Sequence, residues 1–98
     1  MDTNKMGKIN LKYKENLGKA SMFLRWCISS KVDEIVERFR LNGSVLEFKK
    51  RIIKVEFVTD VCSAKNMVKR KWFRSCVMDI NKIAEVLKCK VKFKISIK

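Results

Sequence analysis

Two periods alternate along this chain, one of two residues and one near 3.6, and their order predicts a fold. "GKINLKYK" sets Ile9, Leu11 and Tyr13 against Lys8, Asn10, Lys12 and Lys14. That alternation reads as a half-buried strand with a basic outer face. "ENLGKASMFLRWCISS" then spaces Leu17, Ala20, Phe23 or Leu24, and Cys27 at helical intervals, which predicts a helix from about Leu17 to Ile28. Residues 30–41 fit two structures. Ser30 with Asp33 can open a second helical stretch packing Val32, Ile35, Val36 and Phe39, or Ile35 to Leu41 begins a strand. Asn42-Gly43 turns the chain in either case, as a helix C-cap or as a hairpin.

"SVLEFKKRIIKVEFVTD" reads as strand, bent at Lys49-Lys50, with Ile53, Val55 and Phe57 pointing one way. Asp60 or Ser63 can cap the long helix that follows to about Leu87. Its apolar positions form two sets: Ala64, Met67, Val68 and Trp72, then Cys76, Ile80, Ile83 and Leu87. The second set is rotated away from the first on a straight helix, so the helix curves, kinks near Ser75 to Asp79, or packs against two different things. "KCKVKFKISIK" closes the chain as a strand, with Val91, Phe93, Ile95 and Ile97 opposite Lys90, Lys92, Lys94 and Ser96. The sum is an α+β domain of ferredoxin-like βαββαβ order, an antiparallel sheet with two helices on one face. Its expected core includes Leu11, Phe23, Val55, Phe57, Ile83 and Phe93. Residues 1–98 form one domain, with 1–7 a flexible lead.

Composition adds one strong constraint. The 98 residues are 47% hydrophobic, too apolar for a disordered polycation, yet 24 Lys+Arg stand against 10 Asp+Glu, a formal net charge of +14. Such an excess attracts polyanions at long range, and nucleic acid gains most from it through phosphate neutralisation and counterion release. An acidic protein or an anionic membrane surface is the rival partner. The four cysteines, Cys27, Cys62, Cys76 and Cys89, include no C-x-x-C pair, and the chain has no histidine. They are therefore expected as free, reduced thiols with no bound metal, in the cytosol or nucleus. Cys76 lies near Arg74, which would lower its pKa somewhat. "MDTNKMGKINLKYK" contains no apolar leader, and no run is long enough to span a bilayer.

Catalytic chemistry is thinly provided. Without histidine the commonest general base is missing, and so are Ser-His and Cys-His nucleophile pairs. The carboxylates are scattered and no glycine-rich phosphate loop occurs. The chain is expected to be no enzyme and to use no cofactor.

The binding candidates lie in "KNMVKRKWFRSC". Lys65, Lys69, Arg70, Lys71 and Arg74 crowd around Trp72 and Phe73 with no carboxylate between them. If the helix packs through Ala64, Met67, Val68 and Trp72, then Phe73 points outward on a basic ridge suited to phosphate contacts and base stacking. If the later stripe governs, Phe73 sits at the edge of the core; in a third packing Trp72 and Phe73 are both core and the cations are a solvated rim. The cations are exposed in every packing, because several unpaired charges cannot be buried. Lys90, Lys92 and Lys94 form a second basic patch, although lysine on a strand also guards against aggregation. RNA-reading sheets carry aromatics on their open face and this one carries lysines, so backbone-directed, largely sequence-blind binding fits better. Nothing here looks like a DNA-recognition helix, and the chain has no Gln.

One resemblance accompanies these features. "RIIKVEFVTD", the gap holding Ser63-Ala64-Lys65, and a long helix with an aromatic pair ending in "INKIAEVLK" resemble the small dimerisation subunit of the KEOPS complex. The first strand and the helix around Ala20 can be laid on that family's N-terminal half. The family normally ends with the long helix, whereas "VKFKISIK" adds a strand here, and its helix is less basic than Lys65 to Arg74. The resemblance implies a non-catalytic subunit that forms a homodimer, docks a kinase-like catalytic partner through its helices and assists tRNA binding. The expectation is thus an RNA-binding accessory module, tRNA being the RNA that the resemblance implies. A subunit that docks an acidic protein stands as the alternative, and a DNA-binding protein behind it.

Overall fold

The computed structural model describes residues 6–98, with side chains from Ser21 onward. Helix α1 spans Met6–Phe39, strands β1 and β2 span Gly43–Lys49 and Ile52–Thr59, helices α2 and α3 span Val61–Lys69 and Lys71–Val86, and β3 spans Lys90–Ile97. The domain is α+β, but its order is αββααβ, and the ferredoxin-like βαββαβ expectation is corrected. The first strand does not form: residues 8–14 belong to α1. Ile9 and Tyr13, which alternate as in a strand, also stand four apart and continue through Leu17, Ala20 and Leu24 at helical spacing. No turn signal separates them from the helix that follows. Residues 30–39 take the helical alternative and extend α1. Of the expected flexible lead, residues 1–5 lie outside the described residues, while Met6 and Gly7 begin α1.

With no leading strand to sit between them, the last two strands pair directly. The sheet has three strands in the order β1-β2-β3, β1 antiparallel to β2 and β3 parallel to it. The expected bend at Lys49-Lys50 is a hairpin turn through Lys50-Arg51, closed by the pair Lys49↔Ile52. The parallel pair needs a crossover, which α2 and α3 supply. Both helical stretches end in the same motif. The Leu41 N–H donates to the Val36 carbonyl and the Cys89 N–H to the Ala84 carbonyl, both at 2.9 Å. Arg40 and Lys88 hold the left-handed position of these Schellman caps, with φ of 52° and 59°.

Ile53, Val55, Phe57 and Thr59 of β2 point to the helix layer and are buried. The register sets Leu46 and Phe48 of β1, and Val91, Phe93 and Ile95 of β3, on that same face. Ile28, Val32 and Ile35 of α1 and Phe73, Cys76, Ile80 and Ala84 of α3 complete the core. Val55 and Phe57 are central as expected, whereas Ile83 and Phe93 pack at its margin. Phe23 is 61% exposed and no core residue. On α1 it stands five positions before the buried Ile28, about 140° round the helix, and so turns away from the core. There it stacks on Trp26, itself exposed, with centroids 6.2 Å apart. The side chain of Leu11 lies outside the described residues.

Candidate nucleic-acid interface

The expected long helix is two helices meeting at a corner. Asp60 starts the first: its Oδ1 accepts from the Ser63 N–H at 2.7 Å and its Oδ2 from the Ser63 hydroxyl at 3.1 Å. The Ser63 backbone bond, followed by the hydroxyl bond, holds the Asp60 carboxyl below its ordinary pKa. The second helix starts after Arg70, whose extended backbone (φ −81°, ψ 133°) ends α2 and opens α3 without a side-chain cap.

Packing accounts for a break at this point. Met67 is buried under α2, and Phe73 is the next buried residue. Six positions on one continuous helix would put them about 240° apart. One extended residue lets both face the sheet. The rotation between apolar sets is therefore resolved at Arg70 and not near Ser75 to Asp79. The Arg74 guanidinium donates to the Lys69 carbonyl at 3.4 Å, across the corner.

The break assigns the two aromatics opposite roles. Phe73 is 8% exposed and makes edge contacts with Phe39 and Phe57, with centroids 6.3 and 6.0 Å away. Its candidacy as an exposed stacking residue is corrected. Trp72 is half-buried on the rim, 5.9 Å from Phe39 by ring centroid, and the Arg38 guanidinium covers its ring at 4.5 Å. A cleft of about 420 Å³ opens here, lined by Arg38, Phe39, Asn66, Arg70, Lys71 and Trp72. An adjoining pocket shares Arg38 and Trp72 with this cleft and is also lined by Glu34 and Glu37. Arg38 and Asn66 were not singled out in the sequence. Arg38 is separated from the basic run by the whole hairpin, and Asn66 carries no charge to mark it.

Lys65, Lys69, Arg70, Lys71 and Arg74 are all exposed. The described residues hold one ion pair, Lys31 Nζ to Asp79 Oδ2 at 3.7 Å, and none of these five takes part in it. The strand lysines are elsewhere. Lys92 and Lys94 pair with Lys54 and Glu56, and Lys90 with Ile52, on the sheet face turned away from the helices. That open face forms a shallow cleft of about 490 Å³ with Val45, Glu47, Lys54 and Glu56 among its lining. Ser96 donates from its hydroxyl to Glu56 there. The two expected patches thus lie on opposite sides of the sheet and form no single surface.

Cys27, Cys62, Cys76 and Cys89 are free thiols, of which Cys76 is buried and Cys62 exposed. Burial pushes the Cys76 thiol up, helped by Glu34 and Asp79 and opposed by Lys31 and Arg38. The lowering expected from Arg74 is corrected: the cysteine turns inward and the arginine outward. Among the described residues, no three His, Cys, Asp or Glu side chains gather as metal ligands, and no helix is long and apolar enough to cross a membrane. No family model, curated protein or solved structure matches the chain.

Proposed function

We propose that this protein is a non-enzymatic RNA-binding module that grips phosphates with the corner between α2 and α3. The observation that carries this reading is the set Lys65, Lys69, Arg70, Lys71 and Arg74, exposed together on a braced corner with no carboxylate partner among the described residues. Cations so placed keep their charge available for phosphate oxygens and release counterions on contact. Changing Lys69, Arg70 and Arg74 together to Ala tests it by titration with unrelated structured RNAs over a range of salt. The expected result is weaker binding to all of them alike. The slope of log affinity against log salt falls by about 2 to 3, roughly one for each phosphate no longer neutralised. Unchanged affinity and slope would make the corner a solvated face only.

A finer form of this proposal is a tRNA-contacting subunit of a modification complex, supported by the resemblance of residues 51–60 and 80–88. The N-terminal strand drawn into that resemblance is helix here. Sequencing of RNA that co-purifies with the protein tests this form, and RNA without tRNA enrichment would remove it. A second reading, a protein-docking or homodimerising subunit, has its own observation: Met22, Phe23 and Trp26 stand exposed on α1. Light scattering during size-exclusion chromatography measures the dimer directly.

A further inference from the structure

The cleft beside Trp72 has a chemistry that phosphate contacts alone do not need. It combines an indole face, three cationic side chains and an amide in about 420 Å³, at the lower end of the range of small-ligand sites, about 300–1,000 Å³. The cations are not spread evenly around it. Arg70 and Lys71 line this cleft, Glu34 and Glu37 line the adjoining pocket, and Arg38 and Trp72 are shared by both. An anionic group is favoured beside Arg70 and Lys71 and disfavoured beside Glu34 and Glu37, which biases how a bound molecule lies. Trp72 is held in place by Phe39 but capped only by Arg38, an exposed, flexible side chain. A flat ring can take the place of that guanidinium, since stacking on an indole outweighs an exposed cation–π contact. The released Arg38 then adds a charge for the incoming phosphate. Asn66, with both donor and acceptor atoms, lines the same cleft.

We infer that this cleft takes one unpaired nucleotide of an RNA strand, its base on Trp72 and its phosphate toward Arg70 and Lys71. The inference rests on the phosphate-gripping corner proposed above and adds a preference for single-stranded over duplex RNA, because a paired base cannot leave its stack without cost. Trp72 provides its own reporter. In a Trp26→Phe variant, which changes an exposed residue away from the cleft, the remaining indole fluorescence belongs to Trp72. A short oligoadenylate strand should quench it, and a blunt-ended RNA duplex should bind with much less quenching. Trp72→Leu should weaken the single strand by about tenfold or more, the usual effect of removing a stacking platform, and leave the duplex nearly unchanged. Circular dichroism shows whether that variant folds, and the quenching experiment does not depend on it. Equal quenching by strand and duplex, or no quenching with either, overturns the nucleotide cleft. If the duplex still binds with a steep salt slope, the corner reading survives that failure. If neither RNA binds, both readings fall.

Discussion

The corner between α2 and α3 and the open face of the sheet carry equal numbers of cations but differ in what lies between them. The corner has Lys65, Lys69, Arg70, Lys71 and Arg74 in one run without an acid. The open face has Lys49, Lys54, Lys90, Lys92 and Lys94, but Glu47 pairs across from Lys54, and Glu56 lies between Val45 and Lys94. Cross-strand opposite charges offset one another, and lysines on exposed strands also keep sheet edges from pairing. Two carboxylates thus offset part of the charge on this face, although Lys92 lies directly across from Lys54. The corner has no such offset among the described residues: its charges repel each other, and Arg74 alone of the five is engaged by a side-chain hydrogen bond, to the Lys69 carbonyl. A net charge of +14 says that a polyanion is attracted, and only the placement of carboxylates says where it would settle.

The largest expected effect breaks the corner from beneath. Phe57 is fully buried and touches Phe73 edge-on, so Phe57→Ala should cost about 3–5 kcal/mol in a denaturant titration. A change near zero would mean that β2 is not the centre of the fold. Next comes the direct contrast. Lys90, Lys92 and Lys94 changed together to Ala should leave RNA affinity and its salt slope close to the parent's, whereas the corner triple lowers both; the reverse result would move the interface to the sheet.

A smaller effect sits at the end of β2, under the helix layer. The Thr59 hydroxyl is buried with no hydrogen-bond partner among the described residues, so Thr59→Val should stabilise by about 1 kcal/mol, because an unsatisfied buried hydroxyl costs about that or more. RNA affinity should not change. The smallest concerns the cap of α2. Asp60 is held below its ordinary pKa by Ser63, so its contribution is present above the ordinary carboxylate range and is lost as pH falls through the depressed value. Asp60→Ala should lower the melting temperature slightly at neutral pH and not at all in strong acid. An equal loss at both pH values would show that the bonds to Ser63 are not what Asp60 contributes.

Legibility in the sequence followed how directly a pattern reports burial. Ile53, Val55 and Phe57 alternate in a strand buried on one face, so the period alone places them inside. The same period misled at Ile9, Leu11 and Tyr13, where short alternation and helical spacing coincide. Two rotated apolar stripes announced that the second helix could not be straight. They did not locate the corner, because Arg70 is neither Gly nor Pro and the break follows from fitting Met67 and Phe73 to one sheet. Of the packings that the sequence left open, the corner selects one that buries Phe73 and leaves Trp72 half-buried on the rim. Arg38 was invisible for another reason, since only tertiary packing brings the end of α1 onto the indole.

The mixed sheet has a consequence for the order in which the chain assembles. Lys49 and Ile52 meet across a tight turn, whereas Ile52 and Lys90 are 38 positions apart. Closing the longer loop costs about 2 kcal/mol more in chain entropy, so the β1–β2 hairpin should be present in the folding transition state and β3 should dock after it. Substitutions in the hairpin would then slow folding, while Phe93→Ala in β3 would chiefly hasten unfolding. The corner lies inside that late-closing loop. Its cations are therefore set in place only in the final stage of folding, when the last strand locks the crossover down.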